Sequence, residues 1–202
     1  MEKLYILGLT GSIGMGKTTT AEMFRDEGIA VWDADAAVHE LYTTHEPTIE
    51  QIAEIAPAAV GPEGVSREVL RNLLQADKNL FPKLEKIVHP AIRMHRDAFL
   101  DKCRALGLRL AVVDIPLLYE TDAQNWLDGV LVVTIDEATQ RARVMGRKGM
   151  TKEAFKMISD KQLPDCEKRA RADFVIETKT LDHVCKEVQH IINEINGDAL
   201  NA

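Results

Sequence analysis

Gly11-Ser12-Ile13-Gly14-Met15-Gly16-Lys17-Thr18 fits the spacing Gly-x-x-x-x-Gly-Lys-Ser/Thr of a phosphate-binding loop. Such a loop needs a strand before it and a helix after it. Leu4-Tyr5-Ile6-Leu7, closed by Gly8, is an apolar run too short for a helix and reads as a buried strand. Residues 17–27 put Ala21 and Phe24 on one face, and Gly28 suits the C-terminal cap. The glycines let backbone N–H groups turn inward on phosphate oxygens, and the first helical turn, through Thr19, adds its own free N–H groups and the positive end of its dipole. Lys17, expected at an exposed helix end, would bridge the β- and γ-phosphates, and the Thr18 hydroxyl would ligate Mg²⁺. Residues 11–19 are therefore the expected nucleoside triphosphate site, Ile13 and Met15 included.

Four more apolar runs extend the strand pattern: residues 29–32, 110–113, 130–133 and 174–176. Continuous rather than alternating hydrophobicity marks strands covered on both faces, as in a parallel sheet. With amphipathic stretches between them, such as 181–195 with Val184, Val188, Ile191, Ile192 and Ile195 on one stripe, they predict an α/β fold with helices on both faces of the sheet. Trp32, Met23 and Phe24 read as core. Two segments interrupt the alternation. Residues 38–106 hold helices and no convincing strand: a loop carries Pro57, Gly61, Pro62 and Gly64, a helix covers 67–74, and His89-Pro90 is expected to open another. Residues 137–171 carry ten basic and five acidic side chains. That segment is either a solvated face or a cationic lid over a polyanionic ligand. The expected organisation is a nucleotide-binding core (1–37, 107–136, 172–202), a helical acceptor-binding domain (38–106) and a lid (137–171), with the end fraying from residue 197.

Composition narrows the class. The chain has 202 residues, 46% hydrophobic and 28% charged, the values of an ordinary globular protein. A net charge of −7 argues against a nucleic-acid or electrostatic membrane partner. Three cysteines without metal-ligand spacing fit a reducing compartment, and residues 4–9 are too short for a signal peptide. The expectation is a cytoplasmic protein, a monomer or weak homo-oligomer, acting on a small molecule.

The phosphoryl acceptor must be sought among the carboxylates. Asp33 and Asp35 follow a strand, at the end of a sheet where ligands sit. Asp33 reads as a base toward an attacking hydroxyl, as a metal ligand through water, or as a helix cap, and capping fits Asp35 better, for a helix starting near Ala36. Asp114, closing a strand, reads as a carboxylate on Mg²⁺ or as a simple turn residue. A guanine-nucleotide switch is disfavoured: Ile-Pro-Leu follows Asp114 where a glycine-containing switch is needed, and no Asn-Lys pair occurs in the chain. A small-molecule kinase needs only the loop, an acceptor domain and a cationic lid.

These residues resemble the dephospho-CoA kinase family over about 7–176. The phosphate loop from Leu9, Asp33-Ala34-Asp35, Arg67 with Leu70, His89-Pro90 and Pro116-Leu117-Leu118-Tyr119-Glu120 look like its motifs, as do Arg143, Arg147, Gln162 and Ala172-Asp173. The loop alone is generic; its combination with Asp-Ala-Asp and Pro-Leu-Leu-Tyr-Glu is specific. The resemblance implies a P-loop kinase core, and phosphorylation of the ribose 3′-hydroxyl of dephospho-CoA by ATP with Mg²⁺. It also implies Asp33, Lys17 and Arg143 as catalytic residues and Arg147 on the nucleotide. Asp33, Asp35, Arg67, His89 and Glu120 fall on the acceptor side, His89 either touching substrate or only beginning a helix. Arg143 and Arg147, otherwise readable as exposed helix charge, would come in from the lid. The chain departs from the family at Ser12, at Thr18, at Lys168 in place of a lid arginine, and at Glu177-Thr178-Lys179-Thr180 in place of an Asn-containing, glycine-ended turn.

Overall fold

All five apolar runs become strands of one sheet: β1 (Tyr5–Thr10), β2 (Ala30–Asp33), β5 (Leu110–Asp114), β6 (Gly129–Thr134) and β7 (Phe174–Glu177), in the order β2-β5-β1-β6-β7. β1 pairs in parallel with β5 and β6, and β6 with β7. Burial on both faces explains the unbroken hydrophobicity: every residue of β5 and β6 is buried. The register sets Leu9 opposite Asp114, so that carboxylate leaves the sheet beside the start of the phosphate loop. The computed structural model describes residues 3–198, the last by its backbone alone.

The chain forms two compact units. The first runs up to Trp32 and resumes at Cys103; the second is Asp33–Lys102. In the first, α1 (Lys17–Asp26) and α9 (Leu181–Asp198) pack side by side against one face of the sheet. Phe24, Leu7, Leu131 and Ile176 make a core with the expected Val184, Val188, Ile191 and Ile195 stripe of α9. α1 ends as expected, with Gly28 at positive φ and its N–H bonded to the Arg25 carbonyl. The cationic segment folds as α6 (Glu137–Met145), α7 (Lys152–Ser159) and α8 (Asp165–Ala170), all within the first unit. α9 runs through Gly197 and Asp198, against the expected fraying; residues 199–202 lie outside the described residues.

The second unit corrects two expectations. It contains helices α2 (Ala34–Thr43), α3 (Glu46–Ile55) and α4 (Arg67–Ala76), but also a small hairpin of β3 (Val60–Gly61) and β4 (Gly64–Val65). Two-residue strands leave no alternation to read, and the hairpin is held by burying Val65 and Ala59 against Leu41, Ile52 and Leu70. The second correction concerns His89-Pro90, which opens no helix. It lies inside α5 (Leu80–Ala105), a 26-residue helix with Pro90 in its interior. Interior proline loses one hydrogen bond and crowds the carbonyl four residues back. Here the apolar stripe of Leu80, Leu84, Ile87, Val88, Ala91 and Ile92 passes straight through and packs on the unit's core. Burial on both sides of the proline outweighs its local cost. Among the described residues no helix is long and apolar enough to cross a membrane.

Candidate active site

Gly16 caps α1 with φ 89°, and Gly14 has φ 80°, conformations that a side chain disfavours. No side chain caps α1, and its first turn holds no acidic residue. Its leading N–H groups and the positive dipole end are thus available to an anion. The loop between β1 and α1 is braced from outside. Gln162 accepts from the Ile13 N–H at 3.0 Å, and Gln140 donates to the Ile13 carbonyl at 2.8 Å. Two glutamines from the cationic segment therefore hold both polar groups of one loop residue. Ser12 also accepts, through its carbonyl, from the Met15 N–H at 3.1 Å.

Lys17 is not at an exposed helix end. Its side chain is 18% exposed and its ammonium pairs with the Asp114 carboxylate, which is 2% exposed. Thr18 is exposed in the first turn of α1, and Thr19 half-buried beside it. Divalent Mg²⁺ takes oxygen ligands, few of them from protein when phosphates supply the rest. A hydroxyl at Thr18 and a carboxylate at Asp114 are the right chemistry, and a site of this kind needs no cluster of three ligating side chains; among the described residues there is none.

Arg143, on the last turn of α6, donates to the Thr178 hydroxyl at 3.0 Å and to the Thr178 carbonyl at 2.7 Å. Arg147 is exposed just beyond that helix. Lys168 is not an exposed lid cation: it is fully buried and sits 2.9 Å from the Glu120 carboxylate. Glu120 also accepts from the Leu163 N–H at 2.7 Å. Burial penalises the ionised Glu120, yet the Leu163 N–H and the Lys168 ammonium outweigh that penalty and hold its carboxyl below the ordinary range. So Glu120 ties the segment after β5 to the start of α8. The net basicity of 137–171 hid a structural lysine, because a charge count carries no burial.

In the second unit, Asp33 ends β2 and caps α2, accepting from the Ala36 N–H at 2.9 Å. The cap expected of Asp35 belongs to Asp33, because α2 begins two residues earlier than expected. Asp35 sits in the first turn with an exposed side chain, and its carbonyl accepts from Arg67 at 3.1 Å. The Arg67 guanidinium lies 5.8 Å from the Tyr42 ring centroid, an aromatic face that holds a cation's orientation. Burial pushes the Tyr42 phenol up, partly countered by Arg67. His89 is exposed mid-helix, 3.9 Å from Glu85. Reading the sequence missed Gln140 and Tyr42, and named Thr178 only within a turn that departs from the family, with no role of its own. A buried threonine or glutamine among polar neighbours leaves no periodicity to notice.

Comparison with known proteins follows the same lines. The Dephospho-CoA kinase family model matches residues 5–182. A Ruegeria pomeroyi dephospho-CoA kinase is 46% identical over 97% of this chain and 98% of its own. One from Novosphingobium aromaticivorans is 47% identical over 88% of each. Among solved structures, a Thermus thermophilus protein superposes with TM-score 0.81 at 30% identity, covering 96% of this chain and 98% of that one. A dephospho-CoA kinase from Campylobacter jejuni superposes with TM-score 0.73 at 26% identity, covering the same shares. On a family match that takes in the phosphate loop, all five strands of the sheet and the whole second unit, the chain belongs to the dephospho-CoA kinase family.

Proposed function

We propose that this protein transfers the γ-phosphoryl group of ATP to the ribose 3′-hydroxyl of dephospho-CoA, giving coenzyme A and ADP, the last step of coenzyme A synthesis. The observation that carries the reading is the family match over residues 5–182, joined to an uncapped helix N-terminus behind a glycine loop. The loop N–H groups from Gly11 to Thr19 take the β- and γ-phosphates. Lys17 exchanges its carboxylate partner for phosphate oxygens and follows the charge that develops as the phosphoryl group moves. Thr18 and Asp114 would hold Mg²⁺, which would supply neutralising charge to the triphosphate. Arg143 and Arg147 face the triphosphate from α6 and its end, and residues 137–171 serve as the lid. Arginine's planar fork suits phosphate oxygens better than a lysine point charge.

The acceptor belongs to the second unit. Asp33 takes the proton of the attacking 3′-hydroxyl. Its capping bond uses one oxygen and leaves the other for a second partner. Arg67, oriented by Asp35 and Tyr42, offers its fork to the acceptor's phosphates, and His89 presents an exposed ring from α5. Glu120 serves the site by holding the 163–168 segment. Three free cysteines suit a reducing cytoplasm. ADP release tests the reading: dephospho-CoA should stimulate it strongly, and the 3′-deoxy analogue should not. Equal release with both would remove the 3′-hydroxyl as acceptor.

A further inference from the structure

We propose that Thr178 is the positioning residue of the nucleotide site: its hydroxyl and carbonyl aim both Arg143 and the Gly16 N–H at the triphosphate. The proposal rests on the nucleotide-binding reading of the loop and adds a residue outside every motif that led to it.

Thr178 follows β7 and is 6% exposed. Its N–H donates to the Thr134 carbonyl at 2.8 Å, which fixes its backbone to the end of β6. A buried hydroxyl must use both its proton and a lone pair. Here Thr178 Oγ1 lies 2.9 Å from the Met15 carbonyl and 3.3 Å from that of Thr134, and it accepts from Arg143 Nη1 at 3.0 Å. The nearer carbonyl, Met15, takes the proton. The Thr178 carbonyl accepts from Arg143 Nη2 at 2.7 Å, so the guanidinium is gripped at two nitrogens.

Two consequences follow from chemistry. First, a planar trans peptide points its C=O and N–H in opposite directions. Pinning the Met15 carbonyl on Thr178 turns the Gly16 N–H the other way, out of the loop's back wall. Thr178 presses close enough that a Cβ on Gly16 would meet its side chain at 3.1 Å, so the peptide has little room to rotate. Second, both oxygens that grip Arg143 are neutral. They fix the direction of its charge without cancelling it, as a carboxylate would. An oriented, uncancelled guanidinium beside an uncapped helix start is what a polyphosphate needs. A hydroxyl suits this junction because it can accept from a cation and donate to a carbonyl at once.

Serine and alanine at this position differ only in the hydroxyl, so the test compares Thr178→Ser with Thr178→Ala. Isothermal titration with a non-hydrolysable ATP analogue, without acceptor, reads the nucleotide site alone. Thr178→Ser should bind within about threefold of wild type, and Thr178→Ala at least about tenfold more weakly, since a hydrogen bond to a charged group is being lost. The cycle with Arg143→Gln separates aiming from simple packing. Where Thr178 acts through Arg143, Thr178→Ala should cost clearly less in the Arg143→Gln background than in wild type. Equal affinities of the serine and alanine variants would overturn the proposal, and so would an identical loss in both backgrounds. Failure of the wild type to bind the analogue would overturn the nucleotide reading as well, whereas failure of dephospho-CoA to react, with the affinity pattern intact, would overturn only the choice of acceptor.

Discussion

Replacing Lys168 by methionine removes a charge from the interior while keeping most of the side chain's volume. Lys168 has no exposed surface, and its ammonium lies 2.9 Å from Glu120, whose side chain is 17% exposed. One Glu120 oxygen keeps the Leu163 N–H; the other is buried without a hydrogen-bond partner. After the change that carboxylate stays buried with its cation gone. Breaking a buried pair from one side costs about 3–5 kcal/mol, because the remaining ion is uncompensated. At roughly 2–4 °C per kcal/mol for a chain of this size, the midpoint should fall by about 6–20 °C. Glu120→Gln added to Lys168→Met should recover much of the loss, since a neutral amide tolerates the site better than a bare carboxylate. The pH dependence has a definite sign. The folded-state pKa of Glu120 is lowered, so its contribution is present above its ordinary value and is lost as pH falls through the folded value. The gap between wild type and Lys168→Met should therefore be widest near neutral pH and narrow in acid. Urea melts at several pH values read this directly. A gap below about 1 kcal/mol at pH 7, the range of an exposed pair, would refute the buried-pair reasoning.

Two further outcomes concern the reaction itself. Lys17→Ala should lower turnover by several orders of magnitude and also destabilise the ligand-free protein, because Asp114 is 2% exposed and loses its ammonium partner; Lys17→Ala with Asp114→Asn should regain stability in thermal melts but not activity, and turnover of Lys17→Ala within threefold of wild type would remove Lys17 from the mechanism. Asp33→Asn should leave stability within a few tenths of a kcal/mol, since asparagine caps as well as aspartate, yet lose roughly 10²–10⁴ in turnover if Asp33 is the base; near-normal turnover would leave Asp33 only its bond to the Ala36 N–H.

The sheet was legible because its inner strands β5, β1 and β6 are buried on both faces and so write themselves as unbroken apolar runs, while the edge strands β2 and β7, only partly buried, still keep short apolar runs. The phosphate loop was legible because backbone N–H capture of phosphate demands glycine at fixed spacing. Signals that depend on local punctuation failed where tertiary burial overrode them. Pro90 reads as a helix start, but the stripe from Leu80 to Ile92 carries the helix through it. Lys168 reads as one of many surface cations, and only packing reveals its pairing with Glu120. Asp33 and Asp35 are two residues apart, and which of them caps α2 depended on a helix boundary, the least certain feature of any local pattern. The polar braces at Gln140, Gln162 and Thr178 come from residues far along the chain from the loop they hold. Gln162 stood out only through resemblance and Thr178 only as part of a departure from the family's turn, neither through a physical signal.

The central claim is a phosphoryl transfer to one hydroxyl, so the product's structure tests it most directly. The purified protein, ATP, Mg²⁺ and dephospho-CoA should be incubated together and the product examined by mass spectrometry and phosphorus NMR. The account predicts a gain of one phosphate on dephospho-CoA, a monoester resonance at the ribose 3′-position, and ADP in equal amount. ADP formed without any phosphorylated dephospho-CoA, or phosphate placed on another hydroxyl, would contradict it.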